Sequence, residues 1–316
     1  MTTARLIPVS PEALRLSPES VDHLAHHIVL MEQVLRLKEQ FDIIHFHIDY
    51  LHYPFSHRER YTHVTTLHGR LDIPDLVPLY EIFDDVPVVS ISDSQREPLP
   101  HLNWQGTVHH GLPKDYYTFH RGSGKYLAFL GRTSPEKGLD RAIEIARAAE
   151  MPLKIAAKID KVDQEYFDSC IRPLLDGPSV EFVGEVGFPE KNEFLGNAAA
   201  LLFPIAWPEP FGLVMIEAMA CGTPVIAYPF GSVPEVVADN ISGCIVPDLD
   251  GAVQAAKKID TLDRKRIRKY FEQRFTADRM TKDYLAVYER LTSRKKIPAS
   301  SGVLNWMKVT SPSNTT

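Results

Sequence analysis

Short β-rich runs alternate with segments of helical periodicity along most of this chain, and this alternation constrains the fold more than any other feature. It is typical of βαβ units, in which the strands of one sheet run parallel. The runs form two series, so we predict an α/β protein with two parallel sheets. The first series comprises 42–48, 63–69, 86–92 and 106–111, after an amphipathic helix near 21–40; the second comprises 126–132, 153–159, 180–186, 200–205, 224–229 and 243–248.

The two series predict two domains. We expect an N-terminal α/β domain at 1–112 and a C-terminal α/β domain at 126–291, which includes the helices that follow the last strand. The polar, turn-rich stretch 113–125 is the predicted linker. The tail at 292–316 lacks apolar periodicity and ends in residues rich in Ser and Thr, so we expect most of it to be mobile.

Composition excludes several classes of function. A hydrophobic content of 44% in 316 residues is that of an ordinary globular protein, and the net charge of -6 argues against nucleic acid as the main partner. The basic runs 264–269 and 293–296 leave peripheral contact with an anionic membrane open, although a solvated helix face is the commoner explanation. The three cysteines lie far apart, which indicates neither a disulfide framework nor a zinc site. No apolar stretch approaches the length of a membrane span or a signal peptide, so we expect a cytoplasmic protein.

The stretch "LGRTSPEKG" ends the first strand of the second series. Ser134 and Pro135 predict the start of a helix, with Ser134 as its N-cap. Lys137 would then lie in the first turn, where a cation opposes the helix dipole unless an anion is bound. Arg132 ends the strand beside it. Together Arg132 and Lys137 suit a diphosphate, but two exposed cations on a loop explain the same residues.

The stretch "WPEPFGLVMIEAMACGTP" places two carboxylates around one predicted helix. Glu209 precedes the helix, which we expect to start at 210–212 and to run to about Met219, and Glu217 lies inside it. A carboxylate accepts two hydrogen bonds and therefore suits vicinal hydroxyls. A nucleotide sugar carries two polyols, its sugar and its ribose, with a diphosphate between them. Taken alone, each carboxylate has a simpler explanation: Glu209 favours the helix dipole, and Glu217 is a solvated helix position.

These motifs together resemble a known enzyme family. E-P-F-G-L-V-x-I-E at 209–217, with G-R-x-x-x-E-K-G before it and G-S-V-P-E after it, is similar to the donor half of family 4 retaining glycosyltransferases of the GT-B fold, and the resemblance runs from about 41 to 291. It implies two Rossmann-like domains that face a cleft. It also implies transfer of a hexose from a nucleotide-diphosphate sugar to an acceptor hydroxyl of unknown identity, with retention of configuration. Neither a metal nor a resident cofactor is expected.

The resemblance implies a role for each site residue. Arg132 and Lys137 hold the donor diphosphate, Glu209 holds the hydroxyls of the transferred sugar, and Glu217 holds the ribose. His68, in "LHGRLD" at the end of a first-series strand, contacts the donor sugar. The catalytic group is therefore Glu209, His68, Arg132 and Lys137. Further donor contacts are implied at the backbone of Phe211, Gly212 and Leu213, at Val186 and Gly187 near the base, and at Lys158, a third cation where the family often carries glycine.

Histidines cluster at the strand ends of the first series. His45, His47 and His52 superficially resemble metal ligands, and His68 and His110 end neighbouring strands. A polar lining of the cleft explains them better than a metal site. Cys221 lies in a turn of small residues and is expected to pack rather than to react.

The N-terminal half departs from the resemblance. Chains of this family open with a strand, a glycine-rich loop and a helix, whereas no glycine precedes Gly69 here. We therefore expect an incomplete N-terminal domain in which strand 42–48 has an unpaired edge. A partner chain or a second copy that completes the sheet is expected, so the isolated chain would be weakly active. A misassigned start, a non-catalytic donor-binding subunit of a split enzyme and a GT-B phosphorylase stay open as alternatives.

Overall fold

The computed structural model describes residues 4–14, 17, 21–59, 61–122 and 124–294. Ten strands lie within these ranges: β1 (Ile44–Phe46), β2 (His63–Thr66), β3 (Val88–Ser90), β4 (Trp104–Thr107), β5 (Leu127–Arg132), β6 (Leu153–Lys158), β7 (Val180–Gly184), β8 (Ala200–Phe203), β9 (Val225–Ala227) and β10 (Gly243–Ile245). The helices in the same ranges are α1 (His23–Leu37), α2 (Tyr53–Ser56), α3 (Val77–Ile82), α4 (Leu139–Ala149), α5 (Gln164–Tyr166), α6 (Glu190–Gly196), α7 (Leu213–Ala220), α8 (Val233–Val236), α9 (Leu249–Lys257), α10 (Arg264–Arg274) and α11 (Ala277–Arg294).

The strands form two parallel sheets. The first has the order β1-β2-β3-β4, and the second has the order β10-β9-β8-β5-β6-β7. This confirms the predicted α/β class and the division of the strands into two series. In the described part of the chain β1 pairs with β2 alone. Whether another strand joins β1 stays a prediction.

Strand β4 begins two residues earlier than the sequence predicts. The register between β3 and β4 shifts after Val88, which pairs with Trp104, while Val89 pairs with Gly106. Beyond Val108, whose amide still donates to Ser90 at 2.8 Å, the chain leaves the sheet. Leu112 then pairs with Thr276 in an isolated bridge. The stretch predicted as the end of a strand is therefore a crossing towards the second half of the molecule.

The second sheet is covered on both faces. On one face α4 buries Leu139, Ala142, Ile143 and Ala146, the stripe that its spacing predicts. On the other face α7 packs together with α10, and most of α7 is buried because it lies between the sheet and that helix. The core thereby fixes the position of α7, whose first residues face the carboxyl ends of the strands.

Helix α4 starts later than expected. Pro135–Lys137 form a single 3₁₀ turn, and Gly138 follows it with a φ of 72°, in the left-handed region. A Cβ at this glycine would lie 2.3 Å from the carbonyl oxygen of Pro204, so only glycine fits. The expectation that Ser134 caps the helix is wrong, and Lys137 does not lie in its first turn. The dipole of α4 therefore does not indicate an anion at Lys137.

Helix α11 packs on the first sheet, although the sequence grouped it with the second. Its Tyr284, Val287 and Leu291 are buried against Val64 and Val89. The hydroxyl of Tyr284 lies 3.0 Å from the hydroxyl of Thr66, which anchors the helix to β2. The tail that we predicted to be mobile lies, beyond this helix, outside the described residues. Among the described helices, none is long and apolar enough to span a membrane.

Candidate functional site

A cavity of about 440 Å³ opens at the carboxyl ends of β5, β6, β7 and β8. This is the edge at which open parallel sheets bind their ligands. Eight of the residues that the sequence singles out line it: Arg132, Lys137, Lys158, Val186, Glu209, Gly212, Leu213 and Glu217. Glu185 and Lys191 line it as well, although the sequence predicted no role for either residue.

Lys137 and Glu209 form an ion pair in this cavity, and both side chains are largely buried. The ammonium of Lys137 also lies 4.8 Å from the centre of the Trp207 ring. The guanidinium of Arg70, which follows the end of β2, lies 5.6 Å from the same ring. Trp207 therefore contacts one cation from each half of the molecule.

Arg132 ends β5, and its side chain is 47% exposed. One guanidinium nitrogen lies 3.1 Å from a carboxylate oxygen of Glu136, while Asp160 and Asp163 lie at 3.8 and 3.9 Å. Lys158 is the register partner of Arg132 on β6, and its ammonium donates to Asp160 at 2.8 Å. That hydrogen bond lowers the pKa of the Asp160 carboxyl. Both cations thus stand at one edge, held by carboxylates that lie outside the cavity lining.

Glu217 is held from two sides. It accepts a hydrogen bond from the Tyr117 hydroxyl at 2.9 Å and another from the Lys191 ammonium at 3.0 Å. Burial and the neighbouring Glu217 both raise the pKa of Tyr117, which therefore stays a donor. The carboxylate lies just over one turn into α7, where a solvated position was the simpler explanation. Its two partners fix the carboxylate with its remaining acceptor capacity available to a ligand.

The start of α7 faces the cavity because of Gly212. Its φ of 75° lies in the left-handed region, and a Cβ there would lie 2.8 Å from Met215 and 2.9 Å from Phe203. The first amides of a helix have no partner within it and attract anions. Phe211 itself is buried, and its carbonyl accepts a hydrogen bond from the Ser232 hydroxyl at 2.8 Å. Gly187 lies beside the cavity, where its carbonyl accepts from the Lys191 amide at 2.7 Å.

His68 lies on the opposite side of the cleft, at the end of β2. Its Nε2 is 2.8 Å from Nδ1 of His47, and its ring stacks on His110 with centroids 5.4 Å apart. The His110 ring meets Phe211 edge-on at 4.9 Å. Burial lowers the pKa values of His47 and His68 and brings that of His110 to about 4. A row of neutral imidazoles therefore leads from the first sheet to the loop before α7.

The other two histidines of the predicted cluster, His45 and His52, have hydroxyl partners. His45 contacts Thr66 and Tyr288 at 2.7 and 2.6 Å, and His52 contacts Ser56 and Thr65, each at 2.6 Å. Across the described ranges there is no cluster of three side chains able to hold a metal ion. The role of this histidine cluster as a cleft lining stays a prediction.

Glu235 joins the two halves and was missed as a functional residue. Its carboxylate accepts from the amides of Asp93 and Ser94 at 2.7 and 2.8 Å and lies 3.0 Å from Nε2 of His109. Burial opposes ionisation, but these hydrogen bonds outweigh it and lower the pKa of Glu235. The residue ends the motif G-S-V-P-E, so the sequence did mark this position. It did not indicate the partners of the residue, which lie 141 and 142 positions away in the chain.

The family model described as glycosyl transferases group 1 matches residues 118–277, half of the chain. This chain belongs to that family. The matched range contains every cavity-lining residue named above and none of the strands of the first sheet. The family match therefore rests on the second half of the molecule.

Curated relatives cover part of the chain. A D-inositol 3-phosphate glycosyltransferase of Mycolicibacterium smegmatis is 36% identical over 163 residues, which are 49% of this chain and 35% of the relative. A protein of the same name from Jonesia denitrificans is 33% identical over 190 residues, 53% of this chain and 43% of the relative. The matches thus span between about a third and a half of these relatives.

Solved structures match over most of the chain. AviGT4, a glycosyltransferase involved in avilamycin A biosynthesis, has a TM-score of 0.66 at 22% identity, covering 83% of this chain and 79% of its own. Anabaena Alr3699/HepE, solved in complex with UDP and glucose, has a TM-score of 0.71 at 17% identity, covering 85% of this chain and 84% of its own. At these identities the likeness shows the fold, which is GT-B.

Proposed function

We propose that this chain is a retaining, metal-independent glycosyltransferase of family 4. It would transfer a hexose from a nucleoside diphosphate sugar to an acceptor hydroxyl. The observation that carries this proposal is the arrangement of charges around the cavity. Two carboxylates, Glu209 and Glu217, are each held by a lysine of their own, Lys137 and Lys191. Arg132 lines the same cavity, so acceptors for two polyols share one site with cations for a diphosphate.

The order of the strand ends suits a nucleotide sugar. Glu209 follows β8, Arg132 ends β5, Lys158 ends β6, and Val186 follows β7, which is their order along the sheet. A donor laid along this edge would place its sugar at Glu209, its diphosphate at Arg132 and its base towards Val186. Glu217, bound to Lys191 at the start of α6, would then meet the ribose. The names of the relatives and the UDP and glucose bound to HepE support this class of donor.

The chemistry that we infer is stabilisation of the leaving diphosphate. As the bond from sugar to phosphate breaks, negative charge grows on the diphosphate. Arg132, Lys137 and the first amides of α7 would meet that charge from fixed positions, which is the kind of arrangement that lowers a barrier most. A diphosphate is a stronger acceptor of bidentate hydrogen bonds than the partners that Arg132 now has, of which Asp160 and Asp163 lie beyond hydrogen-bond distance.

We propose retention of configuration from the family resemblance and from the partners that the two carboxylates already have. In retaining hydrolases two carboxyl groups lie about 5 Å apart and one of them attacks the sugar. Here Glu209 is engaged by Lys137, and Glu217 by Tyr117 and Lys191. We therefore propose that the acceptor hydroxyl enters on the face that the diphosphate leaves. The cytoplasmic location, the membrane contact and the partner or second copy stay predictions.

Calorimetry with UDP, GDP and ADP, followed by transfer assays with the corresponding hexose donors, tests the proposal. We expect at least one nucleoside diphosphate to bind with a Kd below about 1 mM, a binding free energy of about 4 kcal/mol. Added EDTA should leave that Kd unchanged. Failure of all three nucleotides to bind would refute the proposed function.

A further inference from the structure

Two aromatic rings stack on each other beside the donor cavity without being buried. Tyr116 and Phe188 have centroids 4.5 Å apart and ring planes inclined by 17°. The Tyr116 residue is 44% exposed and Phe188 is 53% exposed. Phe188 keeps this exposure although Tyr116 covers one of its faces. The pair therefore presents an apolar ring surface to solvent.

Contacts tie this pair to Glu217. The ring of Tyr117 meets Phe188 edge-on at 6.3 Å and Tyr116 at 5.3 Å. The hydroxyl of the same Tyr117 donates to the Glu217 carboxylate at 2.9 Å. Val186, two residues before Phe188, lines the cavity. The exposed rings thus lie one side chain away from the carboxylate that we assign to the ribose.

An exposed phenylalanine forgoes the stabilisation that burial of its ring would supply. Tyr117, the neighbour of this pair, is itself buried, so the loop is not simply unpacked. Flat aromatic faces beside a cationic groove are the means by which proteins bind bases without reading their sequence, because every base has a π-face.

We propose that Phe188, backed by Tyr116, is the surface on which the nucleobase of the donor stacks. The inference rests on the proposed function and extends it to the base. A base attached to a ribose at Glu217 points away from the diphosphate, towards the exposed face of Phe188. Tyr116 holds that ring in place, and Tyr117 links the stack to the ribose carboxylate. Because stacking tolerates different bases, Phe188 contributes to the binding of UDP, GDP and ADP alike.

The test compares nucleotides with a ligand that has no base. Phe188→Ala should weaken the binding of each nucleotide that the unmodified protein binds by about 5- to 150-fold, the range for loss of one base–aromatic stack. Inorganic pyrophosphate should bind unmodified protein and variant equally. Phe188→Tyr should keep the nucleotide affinity, and Tyr116→Ala should lose less than Phe188→Ala. Phe41→Ala removes a phenylalanine that is 57% exposed on the first half of the molecule and serves as the matched control.

The outcomes separate the two proposals. Unmodified protein that binds none of the nucleotides refutes the proposed function. If Phe188→Ala binds a nucleotide as tightly as the unmodified protein does, the stacking inference alone is overturned. The inference also fails if Phe188→Ala weakens pyrophosphate and nucleotide by the same factor, because the variant then acts through the shape of the site. Thermal unfolding of each variant shows that the fold is retained.

Discussion

Lys137 and Glu209 form an ion pair although 72 positions separate them in the chain. The family resemblance implies different roles for them, with the lysine on the diphosphate and the glutamate on the sugar. The structure shows that the two side chains contact each other. Under the proposed function, the bond between sugar and phosphate would lie beside this pair. A change at either residue therefore leaves a largely buried partner charge without its neighbour, which costs more than an exposed pair would.

The cations of the cavity give the first prediction. Arg132→Ala and Lys137→Ala should each weaken binding of the preferred nucleoside diphosphate by about 1.5–3 kcal/mol, which is about 10- to 150-fold in Kd, because each loses a charge-assisted hydrogen bond. Calorimetry measures the effect. Lys154→Ala is the matched control, since Lys154 pairs with Glu181 outside the cavity lining. Unchanged affinity in both cavity variants would contradict the clamp.

Substitutions of the two carboxylates should affect different quantities, one mainly turnover and the other mainly nucleotide affinity. Glu209→Gln is expected to lower kcat by at least tenfold while the Kd of the bare nucleoside diphosphate changes little, because Glu209 is assigned to the sugar. Glu217→Gln should instead weaken the bare nucleotide, since the ribose loses a charged acceptor, for which about 1.5–3 kcal/mol is typical. Steady-state kinetics and calorimetry on the same samples decide the question. The reverse ranking would exchange the two roles.

The sequence predicts the strands well because local patterns determine them. The short apolar run "LKIAAK" predicts β6, and the stripe of α4 follows from its spacing alone. The start of α4 was misplaced because the conformation of Gly138 depends on a carbonyl 66 positions later in the chain. Local signals at Ser134 and Pro135 carry no information about that contact.

The site was predictable only in part for the same reason. Arg132, Lys137, Glu209 and Glu217 stand in motifs, so they were found. Lys191 and Tyr117 contact Glu217, although they lie 26 and 100 positions from it in the sequence. Neither residue stands in a recognisable pattern. Pairing across such distances is a property of the folded chain. The same holds for the attachment of α11 to the first sheet.

Glu235 gives a prediction about the contact between the two halves. Glu235→Ala removes the acceptor for the amides of Asp93 and Ser94 and the partner of His109. We expect a loss of about 1–3 kcal/mol in the free energy of unfolding, the cost of leaving partly buried donors unpaired. Urea denaturation measures it. Glu32→Ala, which removes an exposed ion pair with Arg36, should cost less than about 1 kcal/mol. Equal losses in the two variants would show that Glu235 does not join the halves.

The histidine row predicts how stability depends on pH. Burial lowers the pKa of His110 from 6.5 to about 4, with further contributions from His68, His47, Arg279 and His109. Above pH 6.5 the imidazole is neutral in both the folded and the unfolded chain, so it makes no difference there. Between pH 6.5 and 4 this imidazole is protonated in the unfolded chain but stays neutral in the folded chain. The free energy of unfolding therefore falls as the pH falls. The full loss is about 3 kcal/mol and is reached below pH 4.

His110→Gln isolates this contribution. At pH 7.5 the variant should be less stable than the parent, because the stacking on His68 and the contact with Phe211 are altered. Between pH 7.5 and pH 5 the parent should then lose about 2 kcal/mol more than the variant, since the variant has no group to protonate at this position. Urea denaturation at the two pH values measures the difference, with the exposed His101→Gln as control. Parallel losses in His110→Gln and the parent would mean that His110 takes up its proton without unfolding, and that the row is not held neutral by the fold.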